Sequence, residues 1–329
     1  MKLVIPMAGR GTRLRPHTHV TPKPLLPVVG IPMVERIVNT FIDVLPRPIT
    51  EAIFVLGDFP SEVNQALTAI CERHGLGASF VRQDKALGTG HAIHCARDYL
   101  DGEVVTVFAD TLFTMHEPAS LEGSDVMAWV KHVEDPCRFG VAVREGDRIT
   151  ALVEKPAELI SNEALIGIYY VREGKELRDA IQKLIDDDIT GHGGEYQLTD
   201  AFDILLKRGL MFRTSGVAEW LDCGTIEAFM ETSFHLLKTE SAQKGVVRNS
   251  ELIQPVFIAD GATVQDSTVG PNVVVEAGAQ ISNSTVNHSI IFSGSRVVGS
   301  DLSDSMVGHH ASVSETKGRV NIGDHSSIG

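Results

Sequence analysis

Cysteine is scarce and scattered: Cys71, Cys95, Cys137 and Cys223 are the only four in 329 residues, and none stands at CxxC or metal-finger spacing from another. A disulfide framework and a zinc finger are both excluded, and the expectation is buried thiols in a reducing cytoplasm. Positive charge is also short, with 29 Lys and Arg against 43 Asp and Glu and a formal net charge of -14. Such a balance argues against nonspecific nucleic-acid binding and makes any local basic cluster stand out. Long apolar runs are missing too. No stretch of 18 apolar residues occurs, and the first residues lack a charged segment followed by a hydrophobic one, so neither a transmembrane helix nor a signal peptide is expected.

Short apolar runs alternating with helical periodicity fill the first part of the chain, which is the α/β pattern. Strands are predicted at 3–5, 52–56, 78–81 and 104–108, with helices at 33–44, 61–74 and 91–99 between them. Such an order predicts a Rossmann-like, mostly parallel sheet with ligands at the carboxyl ends of its strands. Strands at 126–130, 140–143, 149–153 and 166–171 follow, and would carry the contacts of a second substrate. Helical periodicity returns at 176–186, 198–208 and 226–238. The expected division is a catalytic domain over 1–240, a polar linker over 241–252 and a separate domain over 253–329.

The last of these has its own grammar. Ile258, Val264, Val269, Val275, Ile281, Val286, Ile291, Val297, Leu302, Val307 and Val313 recur every five or six residues, with Gly, Ala, Ser, Asn or Asp between. That spacing suits a parallel β-helix in which each flat side points one aliphatic residue inward. It resembles the left-handed hexapeptide-repeat β-helix, here expected with roughly four short coils. Coil edges are surfaces that partner chains cover, so a homo-oligomer is expected.

Basic residues concentrate in PMAGRGTRLRPHTHVTPKPLLPV, residues 6–28, directly behind the apolar run Leu3-Val4-Ile5. Gly9 and Gly11 permit close backbone approach, and Arg13 and Lys23 supply cationic donors, a combination suited to phosphate. No Gly-Lys-Ser/Thr follows the glycines and the loop is not GxGxxG, which weakens kinase and dehydrogenase readings.

AGRGTRLRP followed by PKPLLPV, then LGTGHAI, FAD, FGVAV, VEKP, GEYQLTDA and WLDCGT in that order, resembles the sugar-1-phosphate nucleotidyltransferases over residues 1 to about 240. With the β-helix appended, the chain is similar to the long glucose-1-phosphate thymidylyltransferase-like enzymes. The resemblance implies attack by a sugar-1-phosphate oxygen on the α-phosphorus of a nucleoside triphosphate, with pyrophosphate leaving. It implies Arg13 and Lys23 as the catalytic cations that hold the leaving phosphates, and Ala8, Gly9, Gly11, Thr12, Gln83, Gly88 and Thr89 as nucleotide contacts. Lys155 matches the lysine that binds the sugar phosphate, with Gly140, Glu154 and Glu195 meeting sugar hydroxyls. Asp110 and Asp222 match the family's metal positions and imply Mg²⁺, a cation that prefers hard oxygen ligands and bridges phosphates. Two departures stand out: Ala109 precedes Asp110 where many relatives carry glycine, and Arg10 occupies a frequent glycine position.

Glucose-1-phosphate with dTTP or UTP is the favoured substrate pair, and guanylyl transfer to mannose-1-phosphate is the alternative within the family. Outside it stand a bifunctional protein with an acyltransferase β-helix, for which His288, His309, His310 or His325 would be candidates, and a noncatalytic sugar-nucleotide sensor. A sensor would be expected to have lost one of Arg13, Lys23, Asp110, Lys155 or Asp222, and all five are present.

Overall fold

The computed structural model describes residues 1–329. The chain divides into two compact units, the first made of Met1–Gly9 and Glu35–Trp220, the second of Arg10–Val34 and Leu221–Gly329.

The first unit is built on a nine-stranded sheet. Its order is Gly77–Arg82, Glu51–Leu56, Lys2–Pro6, Val104–Val107, Glu163–Val171, Val126–His132, Phe212–Gly216, Arg148–Glu154 and Gly140–Glu145. Leu3, Val4 and Ile5 are wholly buried in the strand that pairs in parallel with neighbours on both sides. A continuous apolar run is what a parallel strand covered on both faces requires. The parallel order expected from the sequence holds for the first four strands of this list. Beyond them Glu163–Val171 runs antiparallel to both its main neighbours, and Arg148–Glu154 with Gly140–Glu145 closes the edge as an antiparallel pair. The short spacing between those last two strands dictates this, because a parallel crossover needs a dozen or more connecting residues.

Helices cover the sheet with their periodic faces. Gly174–Asp186 buries Leu177, Ala180, Ile181 and Leu184, the i, i+3, i+4, i+7 stripe of an amphipathic helix. Burying the three larger side chains contributes about 2 kcal/mol each. Glu173 caps the start by accepting the Lys175 N–H at 3.4 Å. No helix in the chain is long and apolar enough to cross a membrane. No disulfide joins the four cysteines; Cys71 and Cys223 are buried, while Cys95 and Cys137 are partly accessible. Burial pushes the Cys71 thiol up to about 11.

In the second unit, 242–329 forms a three-sided left-handed parallel β-helix, six strands deep on two sides and five on the third. All eleven periodic aliphatics are buried, none more than 1% exposed. Coil length shrinks along the stack: Thr263 pairs with Gln280 seventeen residues on, Gln280 with Arg296 after sixteen, and Met306 with Asn321 after fifteen. The stretch expected as a linker is the first coil. Ala242–Gln243, Val246–Arg248 and Glu251–Leu252 pair in parallel with Phe257–Ile258, Thr263–Gln265 and Thr268–Val269. Each side needs only one inward aliphatic, so a polar segment with Val247 and Leu252 suffices for a terminal coil, and the stack is deeper than four.

Buried hydroxyls tie the coils together. The Oγ of Ser250, Ser267 and Ser284 each accept the N–H of the serine one coil on, all at 3.1 Å, and Ser300 accepts from Thr316 at 3.2 Å. Each hydroxyl also donates to the carbonyl two residues before it, as Ser267 does to Gln265 at 2.7 Å. Donor and acceptor are both satisfied, which removes the penalty of a buried polar column.

Candidate active site

The residues expected to meet substrates fall into small groups. On the first unit, Met7 donates its N–H to Val55 at 2.9 Å and aligns the exit of the strand Lys2–Pro6, with the Ala8 carbonyl lying against Gly57. No protein atom lies within 4 Å of a Cβ position on Gly9, so the backbone there is open to a ligand.

Gln83 is fixed at both ends. Its N–H donates to Leu56 at 2.8 Å, and its side-chain Nε2 donates to the Gly88 carbonyl at 3.4 Å and contacts His91 Nδ1 at 3.1 Å. The amide oxygen takes part in neither side-chain contact. His91, to which the sequence assigns no role, holds that amide. The one signal in the sequence is the place of His91 inside the LGTGHAI motif, as the third residue of the helix Thr89–Cys95.

Gly88 and Thr89 lie directly against 195–198. Tyr196 donates its N–H to Leu87 at 2.9 Å, Gly90 donates to Tyr196 at 2.8 Å, and Leu198 donates to the Thr89 hydroxyl at 3.0 Å. Gly88 has φ 111 and ψ 176, a region open only to glycine, and a Cβ there would stand 2.6 Å from the Tyr196 carbonyl and 2.9 Å from Glu195 Cβ. Gly88→Ala is therefore expected to cost on the order of 2 kcal/mol, read as a fall of about 5 °C in Tm, together with weaker triphosphate binding. Unchanged melting and unchanged KM in that variant would contradict this account of the loop.

Three of the residues expected to meet the sugar phosphate, Gly140, Glu154 and Lys155, lie at one strand end. Gly140 is the register partner of Glu154, and a Cβ on Gly140 would lie 2.9 Å from Glu154 Oε2, so glycine leaves room for the carboxylate. Lys155 follows with φ 44 and its N–H donating to Phe139 at 3.1 Å; its side chain is exposed. Burial raises the Glu154 carboxyl above its ordinary value, Lys155 and His192 pull it back, and Asp200 pushes it up again. His192 and Asp200 thus join this cluster, though the sequence reading passed over both. Asp200 is raised by its own burial, and its Oδ2 is a buried oxygen without a hydrogen-bond partner. Its place inside GEYQLTDA was the available signal.

Asp110 is half-buried between the strands Val104–Val107 and Thr111–Thr114. On the second unit, Gly11 takes φ 57, and a Cβ there would press within 3.1 Å of the Lys23 Cβ. That glycine lets the loop fold down over Lys23, which is 8% exposed. Thr12 and Arg13 start the short 3-10 turn Thr12–Leu14, both facing solvent. Asp222 Oδ1 accepts the Gly224 N–H at 2.8 Å, and a Cβ on Gly224 would lie within 3.5 Å of both this carboxylate and Arg13 Nη2. A carboxylate and a guanidinium therefore flank one small residue. No group of three or more His, Cys, Asp or Glu is gathered as a metal cage. The expected metal residues are instead two carboxylates, an oxygen-only set that suits Mg²⁺, which keeps waters and phosphate oxygens among its ligands.

Comparison with known proteins agrees with this chemistry. The family model described as nucleotidyl transferase matches residues 2–239. A glucose-1-phosphate thymidylyltransferase of Streptomyces griseus is 29% identical over 99% of this chain and 98% of its own. A low-salt glycan biosynthesis nucleotidyltransferase, Agl11 of Haloferax volcanii, is 34% identical over 74% of this chain and 68% of its own. Among solved structures, a putative glucose-1-phosphate thymidylyltransferase of Bacillus anthracis superposes with a TM-score of 0.60 at 25% identity, covering 74% of this chain and 97% of that one.

Proposed function

We propose that this chain, which belongs to the nucleotidyl transferase family, transfers a nucleotidyl group from dTTP or UTP to glucose-1-phosphate. The coarser activity, sugar-1-phosphate nucleotidyl transfer, is that of the family and its relatives. The finer choice draws support from two thymidylyltransferases of Streptomyces that align with this chain nearly end to end. The observation that best supports the reading is the approach of Gly88, taken as a nucleotide contact, to Glu195, taken as a sugar contact, on the first unit: adjoining nucleotide and sugar sites would require that nearness.

An oxygen of the sugar phosphate attacks the α-phosphorus, the bond from that phosphorus to the bridging oxygen breaks, and pyrophosphate leaves. Catalysis of such a step is positioning and charge neutralisation rather than covalent chemistry. Lys155 holds the attacking phosphate, while Glu154 and Glu195 accept hydrogen bonds from sugar hydroxyls and fix the ring. Gln83 orients the base, with His91 fixing its amide. Arg13 and Lys23 take up the charge that develops on the leaving pyrophosphate. Asp110 and Asp222 would hold Mg²⁺, which when bound neutralises phosphate charge.

A matrix of five triphosphates against several sugar-1-phosphates, read by pyrophosphate release, tests the substrate choice. The highest kcat/KM is expected for dTTP or UTP with glucose-1-phosphate; a maximum with GTP and mannose-1-phosphate would replace this reading with its alternative. A pH effect follows from Glu154. Because burial raises its carboxyl, it takes up a proton at a higher pH than an exposed glutamate and loses acceptor capacity first as pH falls. KM for the sugar phosphate should therefore climb on acidification before the ordinary glutamate range is reached, and Glu154→Gln should flatten that limb.

A further inference from the structure

The segment Arg10–Val34 belongs by its contacts to the same unit as the β-helix, although it carries the first signature motif. Two of its residues, His17 and Thr21, lie between Arg13 and Lys23 in sequence, and each is tied to the last coil. His17 is wholly buried, and its Nε2 stands 2.6 Å from Asn321 Oδ1. Its ring packs at 5.6 Å from Phe292, which in turn stacks on His309 at 4.9 Å. The Thr21 hydroxyl donates to Asp324 Oδ2 at 3.2 Å, while Asp324 Oδ1 accepts the His309 N–H at 2.9 Å. Pro16 closes against the same coil, where a Cβ on Gly323 would come within 3.0 Å of it.

The segment itself is tightly closed. His17 donates its N–H to Leu14 at 3.0 Å, and the Thr18 hydroxyl donates to the Gly11 carbonyl at 2.7 Å. A displacement at His17 is thus passed to Arg13 four residues back, and one at Thr21 to Lys23 two residues on. Asn321 Oδ1 can only accept, so Nε2 carries the hydrogen and donates to it, and burial lowers the pKa of the ring. Its Nδ1 has no partner, which leaves Asn321 as the one polar group that fixes the ring.

We propose that Asn321 and Asp324, on the last coil of the β-helix, are positioning residues for the nucleoside triphosphate, acting through His17 and Thr21 to hold Arg13 and Lys23. This rests on the reading of Arg13 and Lys23 as triphosphate ligands. The β-helix then supports the segment of its own unit that carries these two cations.

Pyrophosphate-release kinetics on the full-length chain test it. Asn321→Ala is expected to raise KM for the triphosphate about tenfold while KM for the sugar-1-phosphate stays within about twofold, the loss of one buried hydrogen bond being felt at a single substrate. Asn321→Asp keeps an oxygen facing His17 and should restore the triphosphate KM to near the parent value. Thr21→Val, which removes only the surface-side hydroxyl, should raise the same KM about threefold and guards against an Asn321 variant that fails to fold. Equal shifts in both KM values, no shift in either, or no recovery with Asn321→Asp would overturn the proposal. Arg13→Ala separates the two levels: if it leaves the triphosphate KM unchanged, the underlying reading fails. If it destroys triphosphate binding while Asn321→Ala and Thr21→Val do nothing, only the positioning role fails.

Discussion

Replacing Asp222 with asparagine is expected to lower pyrophosphate release by on the order of 1000-fold while leaving the fold intact. The substitution is isosteric, and the amide oxygen can still accept the Gly224 N–H that Asp222 Oδ1 accepts at 2.8 Å. What disappears is one negative charge from an oxygen donor proposed for Mg²⁺. Asp222 is exposed, so the change removes no core packing and Tm should move by no more than a degree or two. Asp110→Asn should behave alike. Asp110 is half-buried, and its neighbour Ala109 rather than Asp110 itself fills the interior. Added Mg²⁺ should rescue neither variant fully. Parental turnover in both would remove these two residues from metal binding.

The second large effect is expected at Lys155. Lys155→Met keeps the length of the side chain and removes its charge, and KM for the sugar-1-phosphate should rise about 100-fold with little change for the triphosphate. Loss of a charge-assisted hydrogen bond in a partly enclosed site is worth about 2–3 kcal/mol, which is that factor. Lys155 sits at φ 44, a backbone region a lysine seldom occupies, and its N–H is held by Phe139 at 3.1 Å. Strain of this kind marks a residue whose direction is imposed by its surroundings. Equal rises in both KM values would mean that the substitution had disturbed the strand end rather than removed a phosphate ligand.

Much of the fold was legible because its signals are local. The helix Met33–Val44 matches its predicted bounds, and the wholly buried run Leu3-Val4-Ile5 announced the strand Lys2–Pro6. The β-helix was legible for the same reason, since one aliphatic per side repeats at a fixed spacing. Other features hide because their cause lies elsewhere in the chain. Residues 241–252 are polar enough to read as a linker, yet Val247 pairs with Val264 and Leu252 with Val269, and only the next coil makes strands of them. The mixed far half of the sheet, with antiparallel pairs beside the parallel pair of Val126–His132 and Phe212–Gly216, depends on strand order, which no periodicity reports. The bond from His17 to Asn321 joins residues 304 positions apart and leaves no pattern in either motif.

Within the site, residue types with a family pattern were nameable; their supporting partners stand inside the same motifs, but what those partners touch was not legible. Gln83 was readable, but the contact with His91 that orients its amide depends on a helix start at Thr89. Glu154 was readable too. The neighbouring Asp200 stands inside GEYQLTDA, but its orphaned oxygen is a property of burial that no motif reports.

The most direct test of sugar-1-phosphate nucleotidyl transfer is phosphorus NMR of the purified chain with dTTP, glucose-1-phosphate and Mg²⁺. The account predicts pyrophosphate and a nucleoside-diphosphate sugar appearing in equal amounts, and neither when either substrate is left out. Pyrophosphate formed from dTTP alone, or no product with any triphosphate and sugar-1-phosphate pair, would contradict it.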